Sequence, residues 1–265
     1  MKIVILKDSE QVATAGALAL QDVLMKKTDA VLGLATGGTP KAMYRQIALI
    51  CKASSLSFRD VTTFNLDEYL GVQPEDVQSY RSTMQRELFD HIDINPANTY
   101  LPECAADENP LEVGPRYEAT ILEKGGIDLQ VLGIGQNGHI GFNEPSSSLN
   151  SRTRIKTLTR ETIESNRRYF DDPATQPGLA ITMGIATIMD ARQILMLATG
   201  AAKAEAVRES IEGALSASCP ASILQMHERV TVLLDEPAAS KLERLDYYVW
   251  IQDETRRLMA QIEAD

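Results

Sequence analysis

Short apolar runs alternate along the chain with longer segments whose apolar residues recur at helical spacing. Each run is almost continuously apolar, which is typical of strands buried on both faces. Because helical segments separate the runs, the sequence predicts an α/β fold: a single doubly wound, mostly parallel sheet with helices on both faces, Rossmann-like. Ser9 and Ser79 are predicted to cap two of the helices. The predicted strands are residues 2–6, 30–34, 61–65, 129–134, 193–198 and 230–234, and the predicted helices are residues 9–27, 41 onward, 79–89, 111–123, 201–212 and the C-terminal segment.

The chain is expected to form one domain over residues 1–265, with one distinctive segment. Its length suffices for a single large core. Residues 151–168 contain five arginines and one lysine, whereas the whole chain has a net charge of -11. Charge clusters usually belong to a solvated face, but this one also attracts anions locally. We therefore expect a mobile lid around residues 151–182.

Composition narrows the expected partners and compartment. The chain has 26 basic and 37 acidic residues, a balance that repels polyanions, so neither nucleic acid nor an anionic membrane is an expected partner. Cys51, Cys104 and Cys219 lack metal-ligand spacing and are expected to be free thiols in a reducing compartment. The first apolar run is too short for a signal peptide, and no stretch approaches a membrane span. We expect a cytoplasmic protein.

The densest group of chemically active side chains follows the strand predicted at residues 129–134. The sequence LQVLGIGQNGHIGFNEP places Asn137, His139, Asn143 and Glu144 in one glycine-rich loop. Histidine titrates near neutral pH, and a carboxylate against one ring nitrogen fixes the tautomer so that the other nitrogen can transfer a proton. A histidine at such a place can also serve only to satisfy the turn. Because this one has polar neighbours on both sides, we favour a catalytic loop.

A second loop, ATGGTP at residues 35–40, lies between a predicted strand and a predicted helix. Pro40 suits the first position of that helix, and the glycines before it leave backbone N–H groups at its positive end. This arrangement suits a phosphate, although a plain tight turn is an equal interpretation. A lysine early in the helix predicted at 201–212 repeats the arrangement after another strand. The candidate binding residues are Thr36, Gly37, Gly38, Thr39 and Lys203.

Two adjacent carboxylates, Asp67 and Glu68, follow the strand predicted at residues 61–65. Solvated turns are the commoner setting for such a pair. Here the neighbours are apolar or aromatic, and burial among them would raise the pKa of one carboxyl toward the range of a general base. Ligands of open α/β sheets bind at the carboxyl ends of strands. Since the carboxylates and both loops follow strand ends, we expect them to converge on one site.

At these residues the chain resembles a known family. FNLDEYLG, LGIGQNGHIGFNEP, SRTRIKTLT and the TGGTP turn are similar to glucosamine-6-phosphate deaminases, formerly called isomerases, in the same order and over nearly the whole chain. The related 6-phosphogluconolactonases share the fold and a Gly-His loop. They typically lack the FNEP continuation and the DEY form of the acidic turn, and this chain has both.

The resemblance implies the deamination of glucosamine 6-phosphate to fructose 6-phosphate and ammonia in amino-sugar catabolism, with no metal or organic cofactor. The expected partner is thus a small phosphorylated amino sugar. By matching positions, Asp67 would move the carbon-2 proton, and His139 would open the sugar ring. Glu144 would orient and tune His139.

Further site residues also follow from the resemblance. The phosphate would lie on the N–H groups of Gly38 and Thr39, with Arg168 and Lys203, and Glu68 would also contact the substrate. Some family members carry Asp where this chain has Asn137. Because Asn137 has no charge, we expect a changed pH profile rather than a loss of activity.

Regulation and assembly are less determined. Larger members are hexamers activated by N-acetylglucosamine 6-phosphate, whereas shorter members are unregulated. Ser147, Arg154 and Lys156 match the effector site, but Gln193 stands where the regulated form has Glu. We expect a homo-oligomer, with a hexamer and a monomer both open. The alternative functions are deamination of galactosamine 6-phosphate, lactone hydrolysis of the 6-phosphogluconolactonase type, and a non-catalytic sugar-phosphate sensor.

Overall fold

The computed structural model describes residues 1–167, 170 and 176–262, and two sheets organise them. Seven strands pair in parallel, in the spatial order first, tenth, ninth, sixth, second, third and fifth along the chain. The other three form a small antiparallel sheet. The strands are β1 (Lys2–Leu6), β2 (Val31–Leu34), β3 (Thr62–Asn65), β4 (Asp67–Tyr69), β5 (Thr99–Tyr100), β6 (Leu129–Leu132), β7 (Arg154–Thr157), β8 (Leu179–Thr182), β9 (Ile194–Ala198) and β10 (Val230–Asp235).

The helices differ from the prediction at several of their starts. Ser9 is the first helical residue rather than the cap, because Asp8 accepts the N–H of Gln11 at 2.9 Å. The helix expected from residue 41 begins at Gly38. The helices are α1 (Ser9–Lys26), α2 (Gly38–Ala53), α3 (Tyr80–Glu87), α4 (Pro110–Glu123), α5 (Arg160–Asn166), α6 (Ile185–Met189), α7 (Ala204–Ile211), α8 (Glu236–Ala239) and α9 (Leu245–Ile262).

The core lies on both faces of the large sheet, as the continuous apolar strands predict. Successive residues of β9 point to opposite faces, so that Ile194 and Met196 join one hydrophobic cluster while Leu195 and Leu197 join the other. Helices α1 and α2 cover the second cluster, and α4, α6 and α7 contribute to the first. The predicted α/β class with a mostly parallel sheet is confirmed.

The small sheet, in the order β4-β8-β7, was not predicted from the sequence. Strand β7 lies inside the arginine-rich segment, and its register pairs Arg154 with Thr182 and Lys156 with Ala180 of β8. Three-to-four-residue strands with charged side chains carry little apolar periodicity. The predicted strands also omit β5, which forms an edge of the large sheet through two residues.

The order of the large sheet creates a crevice. Strands β2 and β6 are neighbours, but the chain continues from β2 to β3 on one side and from β6 to β9 on the other. The segments that follow β2 and β6 therefore separate at the carboxyl ends of these two strands. Ligand sites of doubly wound sheets lie at such a switch point.

Helix α9 covers the edge of the large sheet that β1 forms, opposite the β5 edge. The side-chain amide of Gln252 accepts the N–H of Ile5 at 2.8 Å and donates to the Ile5 carbonyl at 3.1 Å. It thereby pairs with backbone groups that an edge strand leaves open. Among the residues that the structure describes, no helix combines the length and the apolar character needed to cross a bilayer.

Candidate active site

A cleft of about 720 Å³ opens at the switch point between β2 and β6. Its walls come from the segments after β2 and β6, from β4, from α3 and the loop before it, and from α5. Of the predicted site residues, the following line it: Thr36, Gly37, Gly38, Thr39, Asp67, Asn137, His139 and Lys203. The expected convergence of the separate loops on one site is thus seen in the structure.

The loop after β6 holds His139 against Glu144. The Nδ1 atom of His139 lies 3.2 Å from one carboxylate oxygen of Glu144, and the Asn137 side chain donates to the same oxygen at 2.7 Å. The Glu144 side chain is only 3% exposed. Burial alone would raise the pKa of Glu144, but hydrogen bonds from His139, Thr162 and Asn137, together with the charge of His139, hold it below its ordinary value. Glu144 is thus an ionised carboxylate that orients the histidine ring.

Glycine is required where this loop is most tightly packed. Gly138 has a φ of +80°, and a Cβ added there would lie 2.5 Å from the Sγ atom of Cys219. The Gly138 carbonyl accepts the N–H of Ala221 at 2.9 Å. A Cβ at Gly135 would overlap the His139 ring. These contacts fix the position of the loop relative to the rest of the fold.

Asp67 supplies an acidic group to the cleft, and its pKa is shifted in the direction opposite to that of Glu144. It belongs to β4, is 6% exposed, and lines the cleft. Burial raises its pKa to about 8, the negative charge of Glu68 adds to the shift, and hydrogen bonds from Phe142 and Thr182 oppose it. A carboxyl of this kind is a stronger base than an exposed aspartate. The apolar neighbours predicted burial of one member of the pair, and the structure buries both, so that burial raises the pKa of Glu68 as well, to about 7.

Glu68 has a different place from the one predicted. It is 2% exposed and is absent from the described lining of the cleft, where substrate contact was expected. Its carboxylate accepts the N–H groups of Tyr69, Tyr80 and Arg81 at 2.9 to 3.0 Å. Two of these groups belong to the first turn of α3, so Glu68 caps that helix. The alternation along β4 explains the difference, because adjacent side chains of a strand point to opposite faces.

The segment before α2 forms the end of the cleft where the sequence predicts a phosphate. Gly37 has a φ of +124° and directs the chain into α2, whose first residues line the cleft. The first N–H groups of a helix lack intrahelical partners and attract anions. The Thr39 hydroxyl lies 3.0 Å from that of Thr199, which joins this end to the loop after β9.

Lys203 reaches the same cleft from the loop after β9. It lies in a short 3-10 turn before α7 rather than inside the longer helix that the sequence predicts. The carboxylate of Asp235 accepts the N–H of Gly200 at 2.9 and 3.0 Å and holds this turn. Arg168, the other predicted phosphate ligand, lies outside the described residues.

Sequence analysis missed the wall formed by α3. Tyr80, Thr83 and Arg86 line the cleft at a spacing of three residues. This spacing places side chains on one face of a helix and was a usable signal. Lys41 also lines the cleft, and its Nζ lies 3.2 Å from Glu87. The cleft thus has more basic groups than the two predicted.

Helix α5 forms part of the wall through Glu161, Thr162 and Asn166. The segment predicted as a lid therefore does adjoin the site, although its motion stays a prediction. The candidate effector residues are absent from the described lining. Arg154 donates to the side chain of Asn143 at 2.9 Å, Lys156 lies on β7, and Ser147 is buried, with no hydrogen-bond partner for its hydroxyl within the described part of the chain.

Comparison with known proteins places this site in a family. The family described as glucosamine-6-phosphate isomerases/6-phosphogluconolactonase matches residues 7–233. The chain is 55% identical to a glucosamine-6-phosphate deaminase of Colwellia psychrerythraea, over 94% of this chain and 93% of that protein. It is 54% identical to a protein of the same name from Shewanella loihica, over 100% and 98% of the two chains.

Solved structures agree with the sequence comparison. A monomeric glucosamine-6-phosphate deaminase matches with a TM-score of 0.88 and 45% identity, over 91% of this chain and 100% of that one. The 6-phosphogluconolactonase of Trypanosoma brucei matches with a TM-score of 0.72 but only 20% identity, over 91% and 98%, which shows the shared fold alone. The chain belongs to the glucosamine-6-phosphate isomerase/6-phosphogluconolactonase family and, within it, to the glucosamine-6-phosphate deaminases, as the sequence motifs predict.

Proposed function

We propose that this protein converts glucosamine 6-phosphate to fructose 6-phosphate and ammonia. The observation that carries the proposal is the presence, in one cleft, of a buried aspartate with a raised pKa and a histidine paired with an ionised glutamate. An aldose-to-ketose conversion needs these two groups, because one must move a proton between carbons and the other must exchange a proton with the ring oxygen. The relatives named glucosamine-6-phosphate deaminase support the same substrate.

The reaction assigns a separate task to each group. His139 exchanges protons with the sugar: the ring oxygen gains one and the hydroxyl at carbon 1 loses one, which opens the ring to the aldehyde while Glu144 holds the opposite ring nitrogen. Asp67 then removes the proton from carbon 2 and returns it to carbon 1. The oxygen at carbon 1 gains a proton from the amino group, which leaves a hydroxyl at carbon 1 and a C=N bond at carbon 2. Water adds to that carbon and ammonia leaves, which gives the ketone. Burial makes Asp67 a strong enough base for the carbon-bound proton.

The phosphate is proposed to bind at the start of α2. Backbone N–H groups of Gly38 and Thr39 and the side chain of Lys203 line that end of the cleft. Arg168 stays a predicted further ligand. Such a local cluster lets an acidic chain bind an anion, because close contacts outweigh the more distant net charge.

Product analysis tests the proposal. Purified protein is given glucosamine 6-phosphate, and ammonia and fructose 6-phosphate are measured in parallel for the wild type, Asp67→Asn and the surface control Asp22→Asn. We expect equal amounts of the two products and a loss of about a thousandfold in Asp67→Asn alone, since a positioned general base contributes 10²–10⁴-fold. Absence of both products with wild-type protein would refute the deaminase assignment.

The same assay separates the neighbouring activities. Galactosamine 6-phosphate differs at carbon 4 and is run beside the glucosamine compound. Faster turnover of the galactosamine compound would replace the proposed substrate by its epimer. Release of acid from 6-phosphogluconolactone without ammonia from either amino sugar would favour the lactonase chemistry.

Assembly and compartment are also proposed here. We propose a homo-oligomer, to be tested by sedimentation equilibrium, with a single species of one chain mass as the opposing result. Because one structural relative is described as monomeric, an oligomer and a single chain are both real outcomes of this test. The three free cysteines are consistent with a reducing cytoplasm.

A further inference from the structure

Glu144 receives a hydrogen bond from outside its own loop. His139 and Asn137 both approach one of its carboxylate oxygens, and the other oxygen accepts the hydroxyl of Thr162. Thr162 belongs to α5, is 4% exposed, and lines the cleft. A helix that forms part of the cleft wall is therefore bonded to the carboxylate that orients the histidine.

The Thr162 hydroxyl is itself held by the start of α5. Thr159 caps the helix by accepting the N–H of Thr162 at 3.2 Å, and its own hydroxyl donates to that of Thr162 at 3.2 Å. The Thr162 proton is thereby directed to Glu144, since a hydroxyl has only one hydrogen to donate. Hydrogen bonds in such a chain polarise one another. The chain runs from the backbone of α5 to Glu144 and on to His139.

We propose that Thr162 is a positioning residue for the His139–Glu144 pair, which makes the histidine tautomer depend on how α5 is seated against the cleft. Its consequence for catalysis rests on the proposed deaminase function. Without the Thr162 donor, one oxygen of a buried carboxylate loses its partner, which is costly for an ion. The carboxylate then gains by rotating toward other donors, and it no longer holds the Nδ1 atom of His139.

The test compares the loss of the hydroxyl with its retention. Thr162→Val keeps the shape of the side chain and removes the donor, whereas Thr162→Ser keeps the donor. Thr187→Val is the matched control, because Thr187 is equally buried and donates to Glu118, away from the described lining of the cleft. The primary readout is the ¹⁵N NMR signature of the His139 ring, assigned with His139→Gln. His91 and His227 serve as internal references.

We expect Thr162→Val to change the ¹⁵N shifts and tautomer of His139 while leaving those of the two other histidines unchanged. Turnover should change in kcat rather than KM, with a displaced pH profile and a loss of about tenfold, a part of the 10²–10⁴-fold that a positioned acid contributes. Thr162→Ser should keep the wild-type signature and rate. Thr187→Val is expected to change neither quantity.

Two results would overturn the proposal. One is a wild-type His139 signature in a folded Thr162→Val protein, because the hydroxyl would then have no influence on the ring. The other is a Thr162→Ser protein as altered as Thr162→Val, because the effect would then come from packing. The NMR comparison needs no turnover. If the wild type forms no ammonia, the deaminase proposal fails while the role of Thr162 is still decided by the ring signature.

Discussion

Two buried carboxylates serve the cleft, Asp67 in its lining and Glu144 bonded to His139, and their pKa values are shifted in opposite directions. Glu144 receives hydrogen bonds from three side chains, and its pKa lies below the ordinary value in spite of burial. Asp67 is buried beside the like charge of Glu68, and its pKa rises to about 8. Burial raises both pKa values, and only at Glu144 do the side-chain donors and the charge of His139 outweigh it.

This difference separates two chemical tasks at one site. A carboxylate that stays ionised can hold the proton-bearing nitrogen of a histidine. A carboxyl with a raised pKa can accept a proton from carbon and later release it. The two elements that supply them, the loop after β6 and strand β4, follow different strands of the large sheet. The two environments touch where the Phe142 N–H of that loop hydrogen-bonds Asp67, and the following predictions test how far each can be altered alone.

After the loss of Asp67 itself, the largest effect is expected from removal of the charge that orients the histidine. Glu144→Gln should lower kcat about a hundredfold, within the range attributed to general acid–base groups, with a smaller change in KM. Steady-state kinetics on glucosamine 6-phosphate measures it, with Glu123→Gln as an exposed control. Retention of more than half of the wild-type kcat would mean that His139 works without this carboxylate.

The next largest effect is on the pKa of Asp67 and comes from a change of its neighbour Glu68. Glu68→Gln removes a negative charge that raises the pKa of Asp67, yet it keeps an oxygen for two of the three N–H groups now accepted. Burial raises the pKa of Glu68 itself to about 7, so its charge acts above that pH. Without this charge the base ionises at lower pH, and the acid limb of kcat/KM should move down by up to about one pH unit, or about fivefold in rate near pH 7. The pH–rate profile checks it, measured for Glu68→Gln both in the wild-type protein and in the Glu144→Gln variant. An unchanged acid limb would exclude Glu68 as a source of the shift.

A smaller change should follow when Asn137 is replaced by the aspartate that some family members carry at this position. Asn137 now donates to Glu144, and Asn137→Asp replaces this donor by a second negative charge. The second negative charge favours the protonated form of nearby titratable groups, so these groups lose their protons at higher pH. The pH range of activity should therefore move upward by less than about one pH unit, a few-fold in rate at the edges of that range. The pH dependence of turnover decides this, and no displacement would contradict the expected influence of residue 137.

The smallest effect is on stability. Because the Asp67 pKa is raised in the folded protein, stability is lost as pH rises from the ordinary range of carboxyl groups to about 8. Asp67→Asn removes this loss. At a pH above 8 the variant should melt about 2–4 °C higher than the wild type, as expected for roughly 1 kcal/mol in a chain of this size. Thermal unfolding at acidic and alkaline pH measures it, and an equal difference at both would exclude the ionisation as the cause.

The predictable parts of the site are those that directly follow buried strands. The loop with Asn137, His139 and Glu144 and the segment at residues 36–39 were found because long apolar strands precede them. Glu68 was assigned to the substrate, because a run of two carboxylates does not reveal that the strand pleat turns one toward the cleft and the other toward α3. Tyr80 and Arg86 were missed as members of an ordinary amphipathic helix.

The sequence by itself determined six of the seven strands of the large sheet and the identity of the reactive loop. Hydrophobic periodicity and local turn residues are short-range properties, and they are strong in this chain. Only the tertiary structure decided how the small sheet forms and which of the two adjacent carboxyls faces the cleft. It also decided that Thr162 of α5 contacts Glu144, 18 residues away. These features depend on contacts between distant segments, and no local pattern specifies the distance or the burial from which they arise.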